Sequence, residues 1–443
     1  MNFEGGNIMM YARWATIEEL KSRLVALNTN TDVKKSGIPM MYDDEKLYIN
    51  DNENHTIVIG TTGSGKTQTT LLPQARLAIK AGESLIINDT KMEVYNEISG
   101  EAKKQGYNII VIDLDNISVG NCFNPLTLPY KLYKNGEQDK ALEILDRVAR
   151  YICNSENPNV DPFWDNMASN YFVSLALYLF DNAKEDEINF NGIYKLCRKT
   201  DELKNYLDKI DKLSPIYINL SGILLAPPET KESILSVFSQ KLGLFISKEN
   251  LSRLLANTDF DISSIQKEKT ALFIISTGKG YANKLIPLII DECYYAITMT
   301  DDKSRRLNIL LDEFQNLSPI YEFSNMLVNS RYINVRFTIY LRSFLELNNV
   351  YGKNSTVKMA FGNIVYLLAN DIETLEEISN LCGKRNSTEP LITIEELKLL
   401  DEFEAIILMP RISPIRTKLL PDYKMDFGFD KKVVEIPKMT KNK

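Results

Sequence analysis

The run His55-Thr56-Ile57-Val58-Ile59-Gly60-Thr61-Thr62-Gly63-Ser64-Gly65-Lys66-Thr67 decides the fold. Its first five residues are largely apolar and β-branched, the composition of a buried strand. Gly60 to Thr67 spells G-x-x-x-x-G-K-T, and Lys66 through Ala81 reads as a helix. Strand, glycine-rich loop and helix, in that order, form the context a phosphate-cradling loop requires. Glycines let backbone N–H groups turn inward around phosphate oxygens where a Cβ would obstruct them. The following helix adds its positive N-terminal end. Lys66 is placed to supply a point charge to β- and γ-phosphates, and the Thr67 hydroxyl to ligate Mg²⁺.

The second half of such a site lies downstream. Leu307-Asn308-Ile309-Leu310-Leu311-Asp312-Glu313 is an apolar strand ending in two acids. Asp312 is the metal-side acid, and Glu313 is placed to polarise an attacking water. The pair favours hydrolysis over nucleotide binding alone and weighs against a small-molecule kinase, which needs a lid and an acceptor pocket. About 245 residues separate Thr67 from Asp312, more than a minimal sheet of this kind needs, so an insertion is expected between them.

The chain order agrees. Of 443 residues, 44% are hydrophobic and 25% charged, an ordinary soluble balance with length for two or three domains. Residues 1–55 read as a poorly packed lead-in with a short helix over Ala15 to Leu27, capped by Thr16. Strands at 56–59, 85–89 and 108–113 alternate with helices, which predicts a mostly parallel sheet covered on both faces. From 136 to 225 the strand signal disappears and helical periodicity takes over. The α/β pattern resumes at 226, with a helix from Thr230 to Leu242 and strands near 271–275, 307–313, 335–341 and 364–369. An edge strand is expected at 405–409. The expected organisation is therefore an α/β P-loop NTPase domain made of 56–135 and 226–430, an all-α insertion at 136–225, and a flexible tail at 431–443.

Composition excludes several functions. A net charge of −7 argues against a surface coated in basic charge, so any nucleic-acid contact must be local, in a pore or groove. Five scattered cysteines without a CxxC suggest a reducing compartment and no zinc site. With His55 as the single histidine, a Ser-His-Asp triad or a histidine metal centre is a poor fit, and His55 itself reads as structural. No apolar run approaches the roughly 20 residues that span a bilayer. The longest, Phe172 to Phe180, reads as a core helix. The reading is a soluble intracellular protein.

Two further positions stand out. Arg331 lies on the segment returning from the acidic strand end to the next strand. In ring-shaped motors such an arginine can reach the neighbouring subunit's site, a contact worth roughly 10³–10⁵ in rate; a salt-bridged surface arginine is the alternative. Asp89, Lys91 and Glu93 follow the second strand, as secondary site residues or as a local ion pair.

Taken in order, these residues resemble the type IV coupling proteins, the hexameric motor ATPases of conjugative DNA transfer. The resemblance rests on Ala12-Arg13-Trp14-Ala15-Thr16, Gly60–Thr67, Asp89-Thr90-Lys91-Met92-Glu93, Asn124-Pro125-Leu126, Asp161-Pro162-Phe163-Trp164 and Leu311-Asp312-Glu313-Phe314. It covers most of the chain. It implies a RecA-like motor domain, a membrane-distal all-α domain that receives a relaxase–DNA substrate, and a homo-hexameric ring with a central channel. It implies ATP and Mg²⁺ as ligands, and DNA, a relaxase and type IV secretion channel components as partners, with the chain at the inner face of the cell membrane. Arg331 falls where the family carries its trans-acting arginine. Two features depart from the pattern. The family's transmembrane helices are not seen, which implies a separate membrane anchor or a truncated copy. Arg342 stands where the family usually has a γ-phosphate-sensing glutamine, and could contact phosphate or alter coupling. A general DNA translocase and a weakly hydrolysing docking adaptor are the rival readings.

Overall fold

The computed structural model describes residues 11–155, 159, 161–278, 280–353, 355–429 and 432–439. Twelve strands are present among them: β1 (Val25–Leu27), β2 (Ile38–Asp43), β3 (Lys46–Asn50), β4 (His55–Gly60), β5 (Ser84–Asp89), β6 (Asn108–Asp113), β7 (Thr270–Ile275), β8 (Leu307–Leu311), β9 (Val335–Leu341), β10 (Phe361–Leu368), β11 (Glu404–Leu408) and β12 (Ile415–Lys418). The last nine form one sheet in the order β12-β11-β10-β4-β9-β8-β5-β7-β6. From β10 to β6 every pairing is parallel, while the β10–β11 and β11–β12 pairings are antiparallel. The strand expected at the edge, 405–409, is thus covered by a further strand, β12.

Alternate side chains of the parallel strands enter two cores, as a two-residue period requires. Ile57, Ile59, Ile86 and Ile112 point to one face, and Val58, Leu85, Ile87 and Val111 to the other. The second face is covered by the helices Leu72–Lys80 and Glu93–Lys104.

Between β6 and β7 the chain is helical. Eight helices run from Thr127–Lys134 to Glu249–Leu254, a wider stretch than the 136–225 expected. The helix Pro228–Ile246, read from sequence as part of the α/β unit, packs instead on the helices Gln138–Cys153, Pro162–Asn182 and Phe190–Leu196. Its apolar face, with Ile234, Phe238, Leu242 and Phe245, needs that partner, and periodicity alone does not name one. The core of these helices is continuous with that of the sheet. Asp161-Pro162-Phe163-Trp164 opens the longest helix: Asp161 accepts the Phe163 N–H at 3.0 Å, and Pro162 takes the first helical position. Arg147 ties the helices to the motor face through Asp291 at 2.5 Å and Glu322 at 2.9 Å.

Two expectations are corrected. The lead-in is packed. Its helix covers Ile17–Lys21, with Thr16 and Glu19 in a capping box, and a three-stranded antiparallel sheet β1-β3-β2 follows. Met40 and Ile49 of that sheet are fully buried. The tail, read as flexible from 431, is a strap where it is described. The Tyr95 hydroxyl donates to the Val434 carbonyl at 2.8 Å, and the Met439 N–H to the Ser118 carbonyl at 3.1 Å. Residues 430, 431 and 440–443 lie outside the described residues. Gly100 makes room for the strap, since a Cβ there would lie 1.6 Å from the Lys432 carbonyl oxygen.

Candidate nucleotide site

Parallel strands bring their carboxyl ends to one edge, and the register aligns them: Ile59 lies beside Leu341, Ile339 beside Leu311, and Leu311 beside Asn88. The loop after β4, Asp312 after β8, Arg342 after β9 and Asp89 at the end of β5 therefore emerge together. Ligand sites of open parallel sheets form outside this edge.

Gly63 and Gly65 take left-handed backbone angles, φ +82° and +92°, in which a side chain would be strained. At Gly60 a Cβ would meet Ser64 Oγ at 2.2 Å. Thr61 accepts the Ser64 N–H at 3.1 Å and so closes the turn that holds Thr62. Lys66 is buried; its Nζ donates to the carbonyls of Gly60 and Thr61. Burial lowers the Lys66 pKa, opposed by the charges of Glu313 and Asp312 across the site. Thr67 opens a single π turn, Thr67–Leu71, which leads into the helix. Phe403, itself left-handed at φ +64°, lays its ring on Gly65, 2.8 Å from where a Cβ would sit.

Asp312 is buried and accepts a hydrogen bond from Thr90 Oγ1 at 2.8 Å; Asn88 Nδ2 donates to the Asp312 carbonyl at 2.7 Å. Burial raises the Asp312 pKa, with Glu313 adding to the rise. Glu313 has a left-handed backbone, φ +47°. Its Oε2 accepts from Arg342 Nε at 3.0 Å and from Gln315 Nε2 at 2.5 Å, and Arg342 NH2 lies 2.8 Å away. Asn88, Thr90, Lys91, Glu313 and Arg342 line a cleft of about 230 Å³ beside this pair.

Asp89 is a helix cap. Its carboxylate accepts the N–H groups of Glu93 at 3.1 Å and Tyr95 at 2.7 Å, and burial pushes it up to about 6. Glu93 accepts from Gln68, so the element after β5 is tied to the helix after the loop. Arg331 is not in this site. It precedes β9, at the opposite edge of the sheet, and pairs with Glu53 at 2.5 Å. His55 is structural: its Nδ1 accepts the Phe337 N–H at 3.0 Å, so Nε2 carries the proton to the Leu327 carbonyl at 2.9 Å. Asn88, Thr90, Gln315 and Phe403 were not singled out from sequence. A polar Asn88 within Leu85-Ile86-Ile87-Asn88-Asp89 was a usable signal; Phe403 offered none.

Among the described residues no cluster of three or more His, Cys, Asp or Glu could hold a metal alone. The donor set still fits a magnesium–nucleotide: a loop opened by Gly60, Gly63 and Gly65, one hydroxyl at Thr67, and a buried carboxyl at Asp312 with Lys66 as a neighbouring cation.

Fold and site define a P-loop NTPase. A family model for type IV secretory system conjugative DNA transfer matches residues 13–389, and the chain belongs to that family. No curated protein matches it by sequence. The fold is similar to that of the bacterial conjugative coupling protein TrwBΔN70, with a TM-score of 0.68 and 17% identity over 96% of each chain. TrwB in complex with the ATP analogue ADPNP gives 0.68 and 16% identity, over 98% of this chain and 97% of that one. VirB4 of Thermoanaerobacter pseudethanolicus gives 0.54 and 12%, over 88% and 98%. No helix among the described residues is long and apolar enough to cross a membrane.

Proposed function

We propose that this chain hydrolyses ATP to move a relaxase-bound DNA strand towards a type IV secretion channel, as the coupling ATPase of the system. The observation that carries the reading is the Glu313 carboxylate, held by Arg342 and Gln315 beside buried Asp312 at the edge where the glycine loop ends. TrwB structures with ADPNP and with ADP and Mg²⁺ support the choice of ligand.

Gly60 to Gly65 give the backbone N–H groups access to phosphate oxygens. Lys66 leaves its loop carbonyls for the β- and γ-phosphates. Thr67 and Asp312 would hold Mg²⁺, Asp312 through water, and the ion neutralises charge on the phosphates when bound. Glu313 accepts a proton from the attacking water. Arg342 would exchange its Glu313 contact for the γ-phosphate, so that the two contacts compete for one guanidinium. Arg331 has no route to its own site from the opposite sheet edge, which favours a role in a neighbouring subunit of a ring. The chain would stand at the inner face of the membrane beside the channel components.

The test is steady-state ATP hydrolysis with and without single- and double-stranded DNA, beside Lys66→Ala. DNA-stimulated turnover that falls by roughly 10² or more in the variant is expected. A flat, near-zero rate in every case would overturn the autonomous motor and leave the docking adaptor.

A further inference from the structure

The amino-terminal edge of the sheet carries a cleft of about 570 Å³ that the nucleotide site does not use. Five separate segments converge there: Lys34 and Lys35 before β2, Glu53 before β4, Glu83 before β5, Arg305 and Arg306 before β8, and Arg331 and Tyr332 before β9. Five cations face two carboxylates. Glu53 is engaged by Arg331, and Glu83 is buried against Ser36 and Asn308. Arg306 is buried too, donating to the carbonyls of Ser36 and Asp51. Lys34 and Lys35 are exposed and have no ion-pair or hydrogen-bond partner among the described residues; Arg305 donates through NH1 to the Gly82 carbonyl, and its buried Nε lacks an acceptor there. In a chain of net charge −7, this excess of five cations over two carboxylates is local. At the rim stands the Tyr332 ring, 83% exposed.

We propose that this cleft binds a single-stranded phosphodiester chain, with Lys34, Lys35 and Arg305 on phosphates and Tyr332 stacked on a base. A carboxylate ligand would satisfy the cations but not the ring. A cationic groove beside an exposed aromatic is how strands are held without regard to sequence. The cleft is larger than one phosphate requires. The inference rests on the DNA-transfer reading and locates a strand contact on the face opposite the nucleotide.

The experiment measures binding of a fluorescent oligodeoxythymidylate by anisotropy across a salt series, using the full chain, Lys34→Ala/Lys35→Ala and Tyr332→Ala, with sedimentation of each. The double lysine variant is expected to lower the slope of log affinity against log salt by about 1.4, from about 0.7 per cation on a single strand. Tyr332→Ala is expected to weaken binding roughly tenfold with the slope unchanged. Both should keep the DNA-independent hydrolysis of the parent. Wild-type binding with both variants equal to it would overturn the cleft and leave the coupling reading intact. A wild-type chain that binds no DNA at low salt would overturn both. Affinity lost only in step with a change in oligomeric state would assign the cleft to a contact between copies and overturn the strand proposal.

Discussion

The two edges of the nine-stranded sheet are made by the same strands, yet they treat their charges in opposite ways. At the carboxyl edge nearly every charged group has a partner inside a narrow space. Lys66 holds loop carbonyls, Asp312 takes Thr90, and Glu313 takes Arg342 and Gln315. At the amino edge, buried guanidinium groups crowd around one carboxylate while exposed lysines are left without one. Arg336, buried beside Arg306, is held down to about 10, chiefly by burial. The first edge is pre-organised for a small, highly charged ligand. The second gathers five cations around two carboxylates and leaves Lys34 and Lys35 open to an anionic ligand.

Four measurements would break or sharpen this contrast. Glu313→Gln keeps the shape and the Arg342 contact but removes the base, and is expected to lower ATP turnover by roughly 10²–10⁴ with nucleotide affinity retained. Equal loss of binding and turnover would show that Glu313 is only structural. At the amino edge, Glu83→Ala leaves Arg306 and Arg336 buried without their carboxylate. It is expected to destabilise the fold by about 3 kcal/mol in a denaturant titration. An unchanged midpoint would mean that the arginines are adequately held by Ser36, Asp51 and Asn308.

The third uses pH, because the edges carry titrating groups of opposite sign. Burial pushes His55, which opens β4 at the amino edge, down from 6.5 to about 4. The unfolded chain then binds the extra proton, so stability present above pH 6.5 is lost as pH falls towards 4, by at most about 3 kcal/mol. Asp89, closing β5 at the carboxyl edge, is pushed up from 3.8 to about 6. Here the folded state holds the proton longer, so stability rises as pH falls from 6 towards 4. His55→Gln should remove the first slope and leave the second. The difference in Tm between variant and parent should then shift in favour of the variant as pH is lowered, and parallel curves would refute the assignment. The smallest effect is expected from Gly100→Ala. A better helix former, worth about 1 kcal/mol, is set against displacement of the strap at Lys432. Limited proteolysis should release the C-terminal peptide faster while Tm changes little.

Legibility followed the same division. The carboxyl edge could be read because each of its parts is contiguous in sequence: a glycine loop with its lysine, and an apolar strand ending in Asp312 and Glu313. The expected strands of the main sheet were placed for the same reason, each being a short apolar run between turns. The amino edge could not be read, because Lys34, Arg305 and Tyr332 meet only through the strand order. The β2–β3 hairpin was missed because its turn residues, Asp44 and Glu45, are left-handed without a glycine or asparagine to signal it. Arg331 was visible as a position, but its own chain gives it only Glu53 for company. Phe403 reaches the glycine loop from more than 300 residues away, beyond any local pattern.

The strap also has a consequence for synthesis. Residues 432–439 leave the ribosome more than 300 residues after Glu93–Lys104 and the turn after β6, across which they lie. The groove between those earlier elements therefore stays open until the strap has been made. A nascent chain halted before the strap would hold its glycine loop and its first strands, yet still show an unfinished seam to the chaperones that meet it.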